Sequence, residues 1–137
     1  MPNKPILIVF ALFMTACTYQ VSRHDIVYFE NTCTEAAEIL TENSSNFYTS
    51  NSEVLLAPGE KAAIASYMLY TESIFEHISD DYKLSITIHD NNKIINRDNL
   101  LDRISTTQPK VKGSNRIWVI TDTSLCPDSL NKTHKTP

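Results

Sequence analysis

The sequence predicts a mostly-β fold: a small antiparallel β-sandwich or partly open barrel carrying one or two short helices. Three observations lead there. Apolar residues recur with period two in several short runs, polar turn clusters separate those runs, and 137 residues allow one small core. Hydrophobic residues make up 42% of the chain and charged residues 20%, a balance that favours burying a core over remaining disordered.

The first run is 25–31, with Val27 and Phe29 on one face and Ile26 and Tyr28 on the other; a second short run is 37–42. Residues 54–56 lead into the turn pair Pro58-Gly59, after which 61–69 resumes an apolar strand. Ser73 and Glu76 have the spacing of a capping box ahead of Ile78, so a brief helix is expected there. Tyr82, Leu84, Ile86 and Ile88 then alternate with Lys83, Ser85, Thr87 and His89, the clearest half-buried strand of the chain. Asp90, Asn91 and Asn92 form a turn cluster, and 93–96 returns as the second arm of a hairpin. Asp98 is placed to cap a second short helix bearing Leu100, Leu101 and Ile104. Residues 116–121 (RIWVIT) make the last strand, with Trp118 assigned to the core. Six or seven strands result.

Ahead of this domain, Lys4 and the apolar run 6–14 (ILIVFALFM), followed by Thr15 and Ala16, read as a secretory signal. The run is too short for a bilayer core, which takes about 20 residues of helix. Its end, Met14-Thr15-Ala16-Cys17, resembles the signal of bacterial lipoprotein precursors, in which an aliphatic residue and two small residues precede an obligatory cysteine; Met14 stands where Leu is usual. The resemblance implies cleavage before Cys17, a diacylglyceryl thioether on its sulfur and acylation of the new amino terminus. Several acyl chains hold a protein firmly to a membrane without a spanning helix. The same reading divides the chain into a signal peptide (1–16), a lipidated terminus and tether (17–24), a β-rich domain (25–127) and a polar tail (128–137). Thr18, rather than Asp, after the cysteine implies the outer membrane if the source is Gram-negative.

With Cys17 assigned to lipid, Cys33 and Cys126 remain, and in an oxidising, exported setting they are expected to form one disulfide. Two free buried thiols or a metal-binding pair is the alternative, weakened because neither cysteine has a cysteine or histidine at ligand spacing. The bridge would staple the ends of the first and last strands. Closing a loop on the order of a hundred residues long removes about 4 to 5 kcal/mol of unfolded-chain entropy in the simple model.

Composition also excludes functions. Net charge is −4, and loss of the signal leaves 11 basic against 16 acidic residues, so nucleic acid is not an expected partner. With only Gly59 and Gly113, no local phosphate cradle or dinucleotide fingerprint exists, and no cofactor is expected. The four histidines lack metal-ligand spacing. His89 beside Asp90 could form a corner with Asp80 or Asp81, though a solvated strand end is the better reading. No serine sits in a G-x-S-x-G elbow, and the carboxylate pairs Asp80-Asp81 and Glu35 with Glu38 read as surface charge. No catalytic residue and no enzyme activity is expected.

Asn43 and Asn131, in N-x-Ser/Thr matches, are assigned to surface loops. Phe47 and Tyr48, in a Ser/Asn-rich loop, are a candidate contact patch, with anchoring of the loop onto its own domain as the competing reading. The expected function is that of a membrane-tethered, non-enzymatic binding or assembly module with an envelope protein partner, like the accessory lipoproteins of secretion, conjugation or surface machinery. The alternative is a periplasmic inhibitor or ligand-binding lipoprotein, for example against a lysozyme, inserting loop 43–52 or 70–81 into a cleft.

Overall fold

The structure, a computed structural model, describes residues 21–43 and 52–127. Cys17, the pair Phe47 and Tyr48, Asn131 and the tail 128–137 lie outside the described residues.

In chain order the elements are β1 (Arg23–Glu30), β2 (Ala37–Glu42), β3 (Ser52–Leu56), β4 (Lys61–Leu69) and α1 (Ile74–His77). They continue with β5 (Lys83–Ile88), β6 (Asn91–Asn96), α2 (Arg97–Thr106), β7 (Lys110–Lys112), β8 (Asn115–Ile120) and a 3-10 turn, Thr123–Leu125. Two four-stranded sheets result, the first ordered β4-β1-β8-β7 and the second β3-β2-β5-β6. They enclose one apolar cluster, and neither closes into a barrel among the described residues.

Alternation decides which side chains enter that cluster. From β5 and the residue before it, Tyr82, Leu84, Ile86 and Ile88 are all buried, while Lys83, Ser85 and Thr87 point outward. Val27 and Phe29 of β1 and Trp118 and Ile120 of β8 close the core from the first sheet. Ile74 of α1 and Leu100 and Ile104 of α2 add to it. Each such aliphatic side chain contributes about 1.5 to 3 kcal/mol by leaving water.

The expected disulfide is present: Cys33 and Cys126 are bonded with Cα atoms 5.1 Å apart. Its geometry depends on the pairing of β1 with β8, which is parallel, with Phe29 opposite Ile120. A parallel pair ends both strands at the same edge, so the residues just beyond each strand meet. The other strand pairings are antiparallel, as expected. This parallel pair joins strands separated by most of the domain, where no short turn dictates antiparallel order.

Five local assignments differ from the sequence reading. Strand β7 was not anticipated, because Lys-Val-Lys offers one apolar residue and no alternation to detect. The cap of α2 is Asn96, whose side chain accepts from the Asn99 N–H at 3.0 Å, while Asp98 lies inside the first turn. An Asn at the N-cap satisfies the same orphan N–H and admits two more residues to the helix. The β5–β6 hairpin turns on His89 and Asp90, with His89 at φ +54°, so Asn91 and Asn92 already belong to β6. Asn43 is buried, not on a surface loop: its amide donates to the Tyr67 hydroxyl at 3.0 Å and its carbonyl accepts from Ser79 at 2.8 Å. Those two partners satisfy the polar group that the sequence reading left to solvent. Strand β1 also begins two residues before the expected start, and His24, given to the tether, is paired within it.

Candidate interaction surface

The inner face of the first sheet carries one charge into the core. Asp25, with 0% exposure, shares a parity with Val27 and Phe29 and lies opposite Arg116 of β8. Arg116 donates through Nε and Nη2 to the two carboxylate oxygens, and Arg23 Nε donates to Oδ1 at 3.0 Å. A buried carboxylate needs this bidentate partner. The bonds to Asp25 in turn raise Arg116 above its ordinary pKa, and its guanidinium lies 5.2 Å from the centre of the Trp118 ring.

The outer face of the same sheet is unusual for a surface. Register places Ile26 beside Ile117 and Tyr28 beside Val119, with Ala63 of β4 next to Tyr28. These five side chains are half-buried, so the two central strands are apolar on both faces. Strands of that kind normally lie covered on both sides. Lysines border the patch: Lys61 sits 5.0 Å over the Tyr28 ring, and Lys110 and Lys112 of β7 stand opposite Ile117 and Asn115. Among the described strand residues of this face, Glu30 is the carboxylate, paired in register with Lys61. At its lower end an open concavity of about 730 Å³ is lined by Glu30, Gly59, Glu60, Lys61, Lys110 and Val119.

His24 Nε2 and Ser66 Oγ, 2.7 Å apart, also lie on this face. They form a hydrogen-bonded pair on a flat sheet, and Ser66 is buried. A Ser-His contact becomes an acyl-transfer site only with a cleft and donors aimed at an oxyanion.

The sequence-derived candidates fall elsewhere. His89 contacts Glu35 through Nδ1 at 3.3 Å and Asp90 through Nε2 at 3.2 Å, not Asp80 or Asp81, and its side chain is 61% exposed. Asp80 instead approaches Arg97 at 3.5 Å. The segment 70–81 is folded back: Ile74 and Ile78 are in the core, Ser73 caps α1 through the Phe75 N–H, and Arg97 donates to the Ile78 and Phe75 carbonyls. Tyr67 and Tyr82 are core residues, and burial pushes the Tyr82 phenol far up while its hydroxyl donates to the Ile64 carbonyl. No cluster of three or more His, Cys, Asp or Glu side chains suited to a metal occurs among the described residues. No helix among them is long and apolar enough to cross a membrane.

A second charged node joins the two sheets. Asp122, just beyond β8, accepts from Lys93 of β6 at 2.6 Å, Arg103 of α2 at 2.8 Å and the Ser124 N–H at 3.1 Å. Burial alone would push this carboxyl up, but the bonds from Lys93, Ser124 and Arg103 outweigh it and hold the pKa at about 2.

The apolar outer face was missed in the sequence, although a signal for it existed. Ile26 and Tyr28 were assigned to the opposite face from Val27 and Phe29, and Ile117 and Val119 to the opposite face from Trp118. Strands doubly apolar in this way normally lie covered on both sides.

No protein-family model, no curated protein and no solved structure matches the chain.

Proposed function

We propose that the chain is an envelope lipoprotein, exported and held to a membrane through lipid on Cys17, whose sandwich is a non-enzymatic protein-binding module. The observation that carries the binding role is the outer face of the first sheet, with Ile26, Tyr28, Ile117 and Val119 side by side and lysines at the border. An apolar centre with a charged rim is the anatomy of a protein interface. The address rests on Met14-Thr15-Ala16-Cys17, and the Cys33–Cys126 bond accords with an oxidising compartment. Thr18 after Cys17 favours the outer membrane of a Gram-negative source.

The test places a photo-crosslinking residue at Ile117 and, separately, at Thr87 on the outer face of the second sheet. A discrete adduct from position 117 alone, abolished by Val119→Glu, is the expected result. Equal labelling from both positions, or none from 117, overturns the binding role. For the address, Cys17→Ser should yield a released soluble domain or an uncut precursor; normal processing with full membrane retention rules the anchor out.

A further inference from the structure

The end of the first sheet at which β1 begins has its own chemistry. Eight large apolar side chains stand exposed among the described residues, and four of them lie at this end: Val21 (67%), Met68 (55%), Tyr70 (52%) and Val111 (70%). The other four, Leu40, Val54, Leu55 and Ile94, belong to the second sheet. Register brings the first group together. Met68 pairs with His24, Lys112 with Asn115 and Val111 with Arg116, while Asn115 lies beside His24. The His24 N–H donates to the Ser114 carbonyl at 3.1 Å, and Arg23 Nη2 to the Glu72 carbonyl at 2.9 Å, so the β7–β8 turn and the loop after β4 both abut the start of β1.

The charges here are Lys112, Arg23 and Glu72. Arg23 is partly engaged by Asp25, and the Glu72 carboxylate folds back onto the N–H groups of Tyr70 and Thr71, which lower its pKa along with its own. Val21 is four positions after Cys17, a span of at most about 14 Å for extended backbone. A lipid anchor on Cys17 therefore keeps this end within reach of the headgroup layer, where tyrosines, aliphatic side chains and lysines are favoured.

We propose that Val21, Met68, Tyr70 and Val111 form a membrane-contact rim that rests in the interfacial layer of the bilayer, with Lys112 directed to lipid phosphates. This rests on the anchoring proposed above. The rim stands the strands of the first sheet upright on the membrane, leaving its apolar outer face turned sideways and open to a partner.

The full chain, purified from membranes and reconstituted into phosphatidylethanolamine and phosphatidylglycerol vesicles carrying acyl-brominated lipid, tests the rim. The reporters are Tyr70→Trp and, as the control, Ile94→Trp, both at exposed positions, with the constant Trp118 signal subtracted. Met68→Trp is the second rim variant should Tyr70→Trp misfold. Loss of emission at the rim position and none at position 94 is the expected result. A protein that floats with the vesicles but shows no quenching at 70 or 68, or equal quenching at 94, overturns the rim while leaving the anchor intact. A wild-type chain that does not float, like Cys17→Ser, overturns the anchor and the rim together.

Discussion

The two outer faces of the sandwich each span four strands, yet they distribute their apolar side chains differently. On the second sheet, Glu38, Glu42 and Glu53 point outward with Lys83, and the apolar side chains of that face stand singly among them: Leu40 between Glu53 and Ser85, Leu55 opposite Glu38 and Ile94 opposite Ser85. Asn92 donates to Ser85 at 3.1 Å and to Thr87 at 2.8 Å, and Lys83 lies 3.6 Å from Glu42. On the first sheet, Lys61, Lys110, Lys112 and Glu30 border a continuous apolar centre. The second face scatters its exposed apolar side chains among charged and polar ones; the first gathers Ile26, Tyr28, Ile117 and Val119 into one apolar centre. Since both inner faces serve the same core, the core does not dictate this difference.

Breaking the disulfide should have the largest effect and should distinguish the sheets. The double variant Cys33→Ser with Cys126→Ser is expected to lose about 2 to 5 kcal/mol of stability in urea unfolding. Hydrogen exchange should then quicken in β1 and β8 well before β2 and β5; uniform acceleration would show that the sheets melt as one. Next comes the buried carboxylate. Arg116→Leu leaves Asp25 with Arg23 alone and should destabilise by about 3 kcal/mol. The exposed pair on the second sheet, tested by Lys83→Ala, should change stability by less than about 0.5 kcal/mol.

The node between the sheets gives a smaller, pH-dependent effect. The Asp122 carboxyl ionises more readily folded than unfolded, so its contribution is complete above about pH 4 and is lost as pH falls through about 2. Acid titration of Tm should show a loss on the order of 2 kcal/mol across that window, absent in Asp122→Asn. Substitutions at the centres of the outer faces should also change stability little. Val119→Glu and Thr87→Glu should each shift stability by about 1 kcal/mol or less, while only the first abolishes partner crosslinking. If Val119→Glu unfolds the protein, the apolar face belongs to the fold and not to a partner.

Strict alternation made β5 readable from the sequence, and β2 and β4 match their predicted spans residue for residue, since each alternates or runs apolar between turn residues. The disulfide was legible by elimination among three cysteines. What escaped was long-range. Neither the parallel order of β1 and β8 nor the pairing of short, lysine-rich β7 is written in local periodicity. The burial of Asn43 depends on Tyr67 and Ser79, distant residues that no local pattern points to. The candidate surface was half legible: its residues were read correctly as facing away from Val27 and Phe29, but two-sided apolarity was not taken as a sign of a covered face.

The parallel pair has a consequence in time. Arg116 and Asp25 lie 91 positions apart, and the centre of the first sheet cannot form until β8 has been made. A strand apolar on both faces must therefore wait, unpaired on one edge, for nearly the whole domain to emerge, and a topology so rich in distant pairings folds slowly. The second sheet, two hairpins joined through β2 and β5, is complete once Asn96 has been made and is expected to form first. A chain stopped before residue 115 would hold a finished half and an exposed, adhesive β1, which is where aggregation of truncated forms should begin.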